Sequence, residues 1–420
     1  MLTIAYLANQ YPSPVEHYVE DEIQELKRRG IDVIAGSVRK TQGPEPDIVL
    51  MPLSFGVICR AIWICLRRGT RLLGLVRRIT LCGTEPVLRR IKALVHTFLG
   101  ACYAARLQDR RVDHIHVHHG YFGAWIAIAA ARLLNVDFSM TLHGSDLLIN
   151  GAYLDVKLAH CSFCLTISQY NRRYILDKYP GIDGSKILVS RLGVELGEHA
   201  DSGPQKDDAR PCLLAVGRLH AVKDHAFLVR ACGDLQRRGV DIECFIAGEG
   251  PERRTLENLI ASLELENHVT LLGHVSRVQL RSLYDRADIV VLTSRSEGIP
   301  LVLMEAMAHG KIVLAPAITG IPELVLHGKT GFLYQAGSMD DFVEQLQSML
   351  LLQGASRSKA RLGLSSARDP LDWTRHAARV QVAHNFNRTK NLNTFAETFL
   401  SRIGPRTEVV PHEDLVLQQI

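Results

Sequence analysis

"DIVVLTSRSEGIPLVLMEAMAHGKIVLAP", Asp288–Pro316, decides the fold of this 420-residue chain. It opens on a short apolar run, DIVVLT, passes through a Gly/Pro loop into a longer apolar stretch, and closes on a second short run, KIVLAP. Short β-branched runs on either side of a helical stretch read as strand, helix, strand, the unit from which parallel sheets are built. Two carboxylates interrupt the unit: Glu297 in the loop after the first strand, and Glu305 about two turns into the helix. An unpaired carboxylate is costly to bury. Both acids are therefore expected to face a ligand beyond the carboxyl ends of the strands, where such sheets bind ligands. The plainer reading is a capping acid and a partly exposed helix acid.

The same alternation extends outward from this unit. Downstream of Pro211 run CLLAVG, a helix over 223–238, DIECFIAG, a helix from Glu252, HVTLLG and a helix over 277–286. In the first half LTIAYLA is followed by a helix over 20–29 and by IDVIAGSV. After a basic segment come DHIHVHH, a helix over 121–134, FSMTLH and SFCLTI. This is an α/β chain of two doubly wound domains with a cleft between them. The N-terminal domain is expected over 1–200, the polar, aperiodic stretch 197–211 is the linker, and the second domain spans 201–370. Residues 371–403 are expected to be helices packing back towards the N-terminal domain, and 404–420 a loosely ordered tail.

Bulk composition is that of a globular protein, 47% hydrophobic and 22% charged. The N-terminus reads as a first strand and not as a signal peptide. Nine cysteines, scattered singly apart from Cys161 and Cys164, point to reduced thiols in a cytoplasm. Cys161 and Cys164 read as a strand end, since no second Cys/His pair lies near them. The net charge of +5 is unevenly placed: residues 56–110 carry eleven Lys/Arg against Glu85 and Asp109. Apolar residues are interleaved with these cations. Such a segment can lie on an anionic membrane surface, or form a helical hairpin packed on its own domain with solvated arginines. No nucleic-acid motif accompanies the charge, so nucleic acid is not an expected partner.

Several motifs stand at strand ends. In LLAVGRLHAVKD, Gly217 lets a phosphate approach the backbone, Arg218 can fork two phosphate oxygens, and Lys223 adds a point charge where the next helix opens. Gly248 and Gly250 in AGEGPE could face a nucleotide base or merely make a tight turn. The N–H groups of Gly298 and Ile299 could meet a phosphate, and carboxylates such as Glu297 and Glu305 accept hydrogen bonds from sugar hydroxyls. In the first half TLHGSD places His143, Gly144 and Asp146 after a strand. HIHVHHGYFGAW places His116, His118 and His119 at another strand end. A metal held by these histidines is the competing reading, but it needs a third ligand that the sequence does not point out.

Taken together, VGRLHAVKD, AGEGPE, SRSEGIPLVLMEAMAHG, TGIPELVLHGKTGFLY, TLHGSD and SRLGVE resemble the retaining glycosyltransferases of family 4, which have the GT-B fold of two Rossmann-like domains. Glu297 and Glu305 meet the family's Glu–seven residues–Glu spacing. The opening YLANQYPSPVEHYVEDEIQELKRRG looks like the branch that builds exopolysaccharides of the colanic-acid type. The resemblance implies transfer of a hexose, with retention, from a nucleotide diphosphate sugar, UDP favoured over GDP. The implied acceptor is a lipid-linked oligosaccharide. It implies that Arg218 and Lys223 hold the diphosphate without an essential metal or cofactor, that Glu305 binds the ribose and that Glu297 contacts the donor sugar. It puts His143 over the reacting centre, His118 and Asp146 on the acceptor side, and Gly217, Gly248, Gly250, Gly298, Ile299, Gly320 and Ile321 near the donor. A cytoplasmic protein peripheral on the inner face of the plasma membrane is the matching location.

The chain departs from the family pattern in three places. ANQYPSP stands where many members carry Gly-Gly, Val15-Glu16-His17-Tyr18 replaces a hydroxyl residue and Thr-Phe, and Leu192-Gly193 replaces Asn-Gly. These bear on the acceptor side. An epimerase-like enzyme of the same fold and a non-catalytic sugar-nucleotide binder are the alternatives. A dinucleotide dehydrogenase is disfavoured, because no strand is followed by G-x-G-x-x-G.

Overall fold

The computed structural model describes residues 2–13, 16–40, 44–81, 85–149, 151–196, 210–361 and 370–403, with side chains given up to 353 in the helix Met339–Arg361. Most of the expected linker (197–209), the tail (404–420) and Val15 lie outside the described residues. The strands are β1 (Thr3–Gln10), β2 (Asp32–Arg39), β3 (Ile48–Val49), β4 (His114–His118), β5 (Asp137–Leu142), β6 (Cys164–Thr166) and β7 (Ile187–Val189). They continue as β8 (Cys212–Val216), β9 (Glu243–Ala247), β10 (Val269–Gly273), β11 (Ile289–Val291), β12 (Ile312–Pro316) and β13 (Phe332–Tyr334). One sheet has the order β3-β2-β1-β4-β5-β6-β7 and the other β10-β9-β8-β11-β12-β13. Parallel pairing joins β1 to β2 and β4, and β8 to β9 and β11. In both sheets the strand order reverses direction beside the first strand, and ligands of doubly wound sheets bind at such a reversal.

The chain falls into two compact units: Met1–Thr141 with Ala152–Cys164 and Leu392–Ile420, and Leu142–Gly151 with Leu165–Asn391. In the second unit both faces of the sheet are covered, and the pleat shows it. Leu213 and Ala215 of β8 and Ile312 and Leu314 of β12 pack with Leu228, Ile246, Leu256 and Phe342 on one face. Their neighbours Leu214, Val313 and Ala315 pack with Leu303, Met304, Ile321 and Val382 on the other. This is why the strands read as continuous apolar runs rather than alternating ones.

In the first unit Phe399, from the C-terminal helix Arg388–Arg402, packs its ring against Tyr6, His114, His116 and Phe163. Cys161 and Cys164 are buried where β6 begins. The basic segment forms helices Phe55–Arg68, Leu73–Thr80 and Val87–Leu107. The last of these buries Gly100–Ala105 against the helix Phe122–Leu134, and a Cβ on Gly100 would lie 2.5 Å from Ala129 Cβ. Several arginines serve the packing. Arg68 donates to the Leu133 carbonyl, Arg78 pairs with Asp155 at 2.8 Å, and Arg67 lies over the Trp63 ring. The outer face stays apolar, with Phe55, Trp63, Leu66, Leu73, Leu81, Val87, Leu88 and Ile91 all exposed. Among the described residues no helix is long and apolar enough to cross a membrane.

Candidate active site

In the second unit β8 and β11 are neighbours at the strand-order reversal, so their loops meet. The Arg295 N–H donates to the Val222 carbonyl, the Arg295 side chain binds Asp224 at 2.7 Å, and the Thr293 hydroxyl lies 3.1 Å from the carbonyls of Lys223 and Asp224. These bonds place Lys223 beside Glu297, with Nζ donating to Oε1 at 2.5 Å and both side chains mostly buried. From the sequence alone each charge is expected to meet the ligand and not the other. The structure pairs them, although 74 positions separate them in the chain. Lys223, expected to open a helix, does not do so. Lys223 ends a 3-10 turn, Asp224 takes a left-handed conformation (φ 49°), and the helix starts at His225. Arg218 is exposed in the same loop.

The glycines of the neighbouring loop have a structural cause. Gly217 N–H donates to the Ala247 carbonyl and Leu219 N–H to the Glu249 carbonyl, which lays the β8 loop on the β9 loop. A Cβ on Gly248 would lie 1.9 Å from the Gly217 oxygen, and one on Gly250 would lie 2.2 Å from the Leu219 oxygen. These two close approaches require glycine at both positions of the G-x-G.

Helix Leu301–Ala308 buries Leu303, Met304, Ala306 and Met307 on the sheet. It ends in a Schellman motif, with Gly310 (φ 64°) donating to the Met307 carbonyl and Lys311 to the Ala306 carbonyl. Glu305 is its fifth residue, just over one turn in and not two. Its Oε2 accepts from the buried Tyr284 hydroxyl at 3.0 Å. Burial raises the Glu305 pKa, opposed by the Tyr284 hydrogen bond and by Arg277. Among the described residues, nothing accepts from the N–H of Gly298 or Ile299.

The His143 loop belongs to the same unit. A Cβ on Gly298 would lie 2.2 Å from the His143 oxygen, and Asn171 Nδ2 donates to that oxygen at 3.3 Å. The buried Asp146 carboxylate accepts from the N–H groups of Gly144 at 2.8 Å and His143 at 3.1 Å. Its bonds shape the loop that carries His143. The Thr319 hydroxyl donates to the Glu297 carbonyl at 2.6 Å, and Gly320 packs on the Gly298 backbone. Glu323, in the short helix Ile321–Leu324, accepts from the N–H groups of Gln169 and Tyr170 and so caps the helix Gln169–Lys178.

His118 lies in the first unit and is buried. Its Nε2 meets Glu22 Oε2 at 3.0 Å, and the Tyr6 hydroxyl donates to the same oxygen at 2.8 Å. The ligand atoms of Glu22, His116 and His118 lie within 4.8 Å of one another, a set that could hold a cation. The two His116 nitrogens are already matched to the hydroxyls of Ser139 (2.7 Å) and Thr141 (3.1 Å). Glu22 is the third partner that the sequence did not point out, because it comes from a helix 96 positions earlier. Sequence reasoning also missed Tyr284, Asn171 and His225. His225 is buried, and burial lowers its pKa, opposed by the backbone of Gly217 and Arg218. A Cβ on Gly217 would lie 3.6 Å from its Nε2. Tyr284 and Asn171 lie in the largely polar helices Arg277–Arg286 and Gln169–Lys178, where a polar side chain carries no signal, and His225 is the first residue of its helix.

Two parallel, doubly wound sheets, with cations and carboxylates converging at the carboxyl ends of the second, define a protein of the GT-B type. Two family models meet at residue 198: "Glycosyltransferase Family 4" matches 15–198 and "Glycosyl transferases group 1" matches 198–363. The chain belongs to the family 4 glycosyltransferases. It is 32% identical over 214 residues to the putative colanic acid biosynthesis glycosyltransferase WcaL of Escherichia coli, covering 49% of each chain. It is 28% identical over 311 residues to the amylovoran biosynthesis glycosyltransferase AmsK of Erwinia amylovora, covering 69% of this chain and 74% of that one. The chain thus spans about half the length of several curated relatives that it matches. The crystal structure of Anabaena HepE in complex with UDP and glucose superimposes with a TM-score of 0.65 at 17% identity, covering 96% of this chain and all of that one. At that identity the likeness speaks for the fold.

Proposed function

We propose that this protein is a retaining, metal-independent hexosyltransferase that moves a sugar from a UDP-sugar to a lipid-linked oligosaccharide in exopolysaccharide biosynthesis. The observation that carries the reading is the Lys223–Glu297 contact at the strand-order reversal, with Glu305 just over one turn into the helix that follows. Lys223 and the exposed Arg218 would stabilise the charge that develops on the leaving diphosphate, work that preorganised cations do well. Glu297, oriented by Lys223, would accept from hydroxyls of the donor sugar. Glu305 would accept from the ribose diol, and His143 would sit over the reacting carbon. Retention would follow from attack on the face that the leaving group departs. The UDP in the HepE crystals and the exopolysaccharide names of WcaL and AmsK support the choice of donor and pathway class. A thermal-shift and hydrolysis screen against UDP-, GDP- and ADP-sugars, with and without EDTA, tests it. One sugar nucleotide should stabilise the protein in EDTA. Stabilisation that needs a divalent metal would overturn the metal-free reading.

Glu305→Gln is expected to weaken UDP binding by about 10- to 100-fold, since hydrogen bonds to a charged acceptor contribute about 1.5–3 kcal/mol each. The same residue sets a pH dependence. Its pKa is raised in the fold, so its contribution to stability is present below the unfolded-state value and is lost as pH rises through the folded one. Ribose binding runs the other way, because the ionised form is the acceptor. UDP affinity should therefore rise with pH through the Glu305 titration, and Gln should flatten that limb. An unchanged pH profile in the Gln variant would remove Glu305 from the ribose site.

The lipid part of the proposal rests on the apolar outer face of residues 55–98 and the arginines beside it. In flotation assays the protein should rise with vesicles containing phosphatidylglycerol and stay behind with pure phosphatidylcholine. A Trp63→Ala, Leu66→Ser double variant should float less. Equal flotation of variant and wild type, or no flotation with anionic vesicles, would remove the membrane from the proposal.

A further inference from the structure

Tyr284 is 2% exposed on the helix Arg277–Arg286, yet its hydroxyl reaches the half-buried Glu305 on the next helix. The hydroxyl lies 3.0 Å from Glu305 Oε2 and 3.3 Å from the Val302 carbonyl. A phenol has one proton to donate, and the shorter, charge-assisted contact is the stronger claim on it. The ring is itself held by packing on His309, with centroids 5.1 Å apart. Tyr284 is therefore a fixed donor aimed at one carboxylate oxygen. A carboxylate on an exposed helix turn would sample several rotamers, and ordering it on binding would cost entropy. Here one oxygen is held before any ligand arrives.

We infer that Tyr284 is a positioning residue of the nucleotide site, anchoring Oε2 of Glu305 so that its other oxygen is presented to the ribose diol. This rests on the reading of Glu305 given above. The tyrosine touches no reacting atom and acts only through the carboxylate. Its own pKa is raised well above the usual value by burial and by the Glu305 charge, so it keeps its proton at every working pH. Tyr284 and Arg277 are the groups that favour the ionised form of Glu305.

Titration of the full chain with UDP and GDP, and with their 2′,3′-dideoxy forms, tests the inference. Tyr284→Phe keeps the ring and its packing. It should weaken binding of the preferred nucleotide by about three- to tenfold and leave the dideoxy form bound as tightly as the wild-type chain binds it. The acid limb of the binding profile should move to higher pH in the variant, because one group that favours the carboxylate is gone. In a Glu305→Gln background the Phe substitution should add little. Equal weakening of the ribose and dideoxy forms would make Tyr284 a merely structural residue, and so would an unmoved acid limb. A wild-type chain that binds neither nucleotide would remove the donor-site reading and this inference with it. Wild-type binding that Tyr284→Phe leaves unchanged would remove the inference alone.

Discussion

Lys223→Ala should lower sugar transfer by about 10²–10³-fold while the protein remains folded. The magnitude is that of removing one preorganised charge-stabilising donor from an active site. Two effects combine. The leaving diphosphate loses a cation, and Glu297, whose side chain is 12% exposed, loses the ammonium 2.5 Å away. A carboxylate left unpaired in such a place draws in water or turns to another donor, and either change spoils its geometry towards the sugar. Lys223→Arg should recover little. The longer planar guanidinium cannot occupy the position set by the turn Ala221–Lys223 and by the bonds from Thr293 and Arg295 to its backbone. Steady-state kinetics with the donor found in the screen, together with melting temperatures, decide the matter. A variant that keeps a third or more of the wild-type rate would show that Lys223 is only a structural partner of Glu297.

Gly248→Ala should be the most damaging small substitution outside the charged residues. Its φ of 154° disfavours any side chain, and the new Cβ would lie 1.9 Å from the Gly217 oxygen. Backbone strain and forced displacement together should cost about 3 kcal/mol of stability. The atom that has to move belongs to the loop carrying Arg218, and misplacing such a loop by about 1 Å can cost about 10² in rate. Gly337→Ala is the control. Gly337 also has a positive φ (78°), but nothing lies within 4 Å of the added carbon. It should cost only about 1–2 kcal/mol, the left-handed backbone term, with activity unchanged. Equal effects from the two substitutions would mean that backbone conformation alone, and not the stacked loops, decides the outcome at Gly248.

The fold was legible because its signals are local. Alternating short β-branched runs and amphipathic stretches make parallel doubly wound sheets wherever they occur, and each motif's place after a strand follows from reading along the chain. The positions of Gly217, Lys223, Glu297 and His143 at strand ends were read in this way. Local rules failed at boundaries. Asp224 in a left-handed conformation delays a helix that the pattern would start at Lys223, and Pro300 starts the next helix late enough to place Glu305 only just over one turn in.

The amino-acid sequence by itself therefore determined the alternation of strands and helices, the sheet type and which side chains stand at the carboxyl ends of the strands. Only the tertiary structure decided which of them meet. Lys223 finds Glu297 across 74 positions, Tyr284 finds Glu305 across 21, and Glu22 finds His118 across 96. The same holds for the glycines: Gly248 and Gly298 are required by the carbonyls of Gly217 and His143. The physical reason is that strand order in a doubly wound sheet is set by crossover connections, which bring together segments with no local signal in common. A buried polar group then takes whatever partner the packing brings within hydrogen-bond reach.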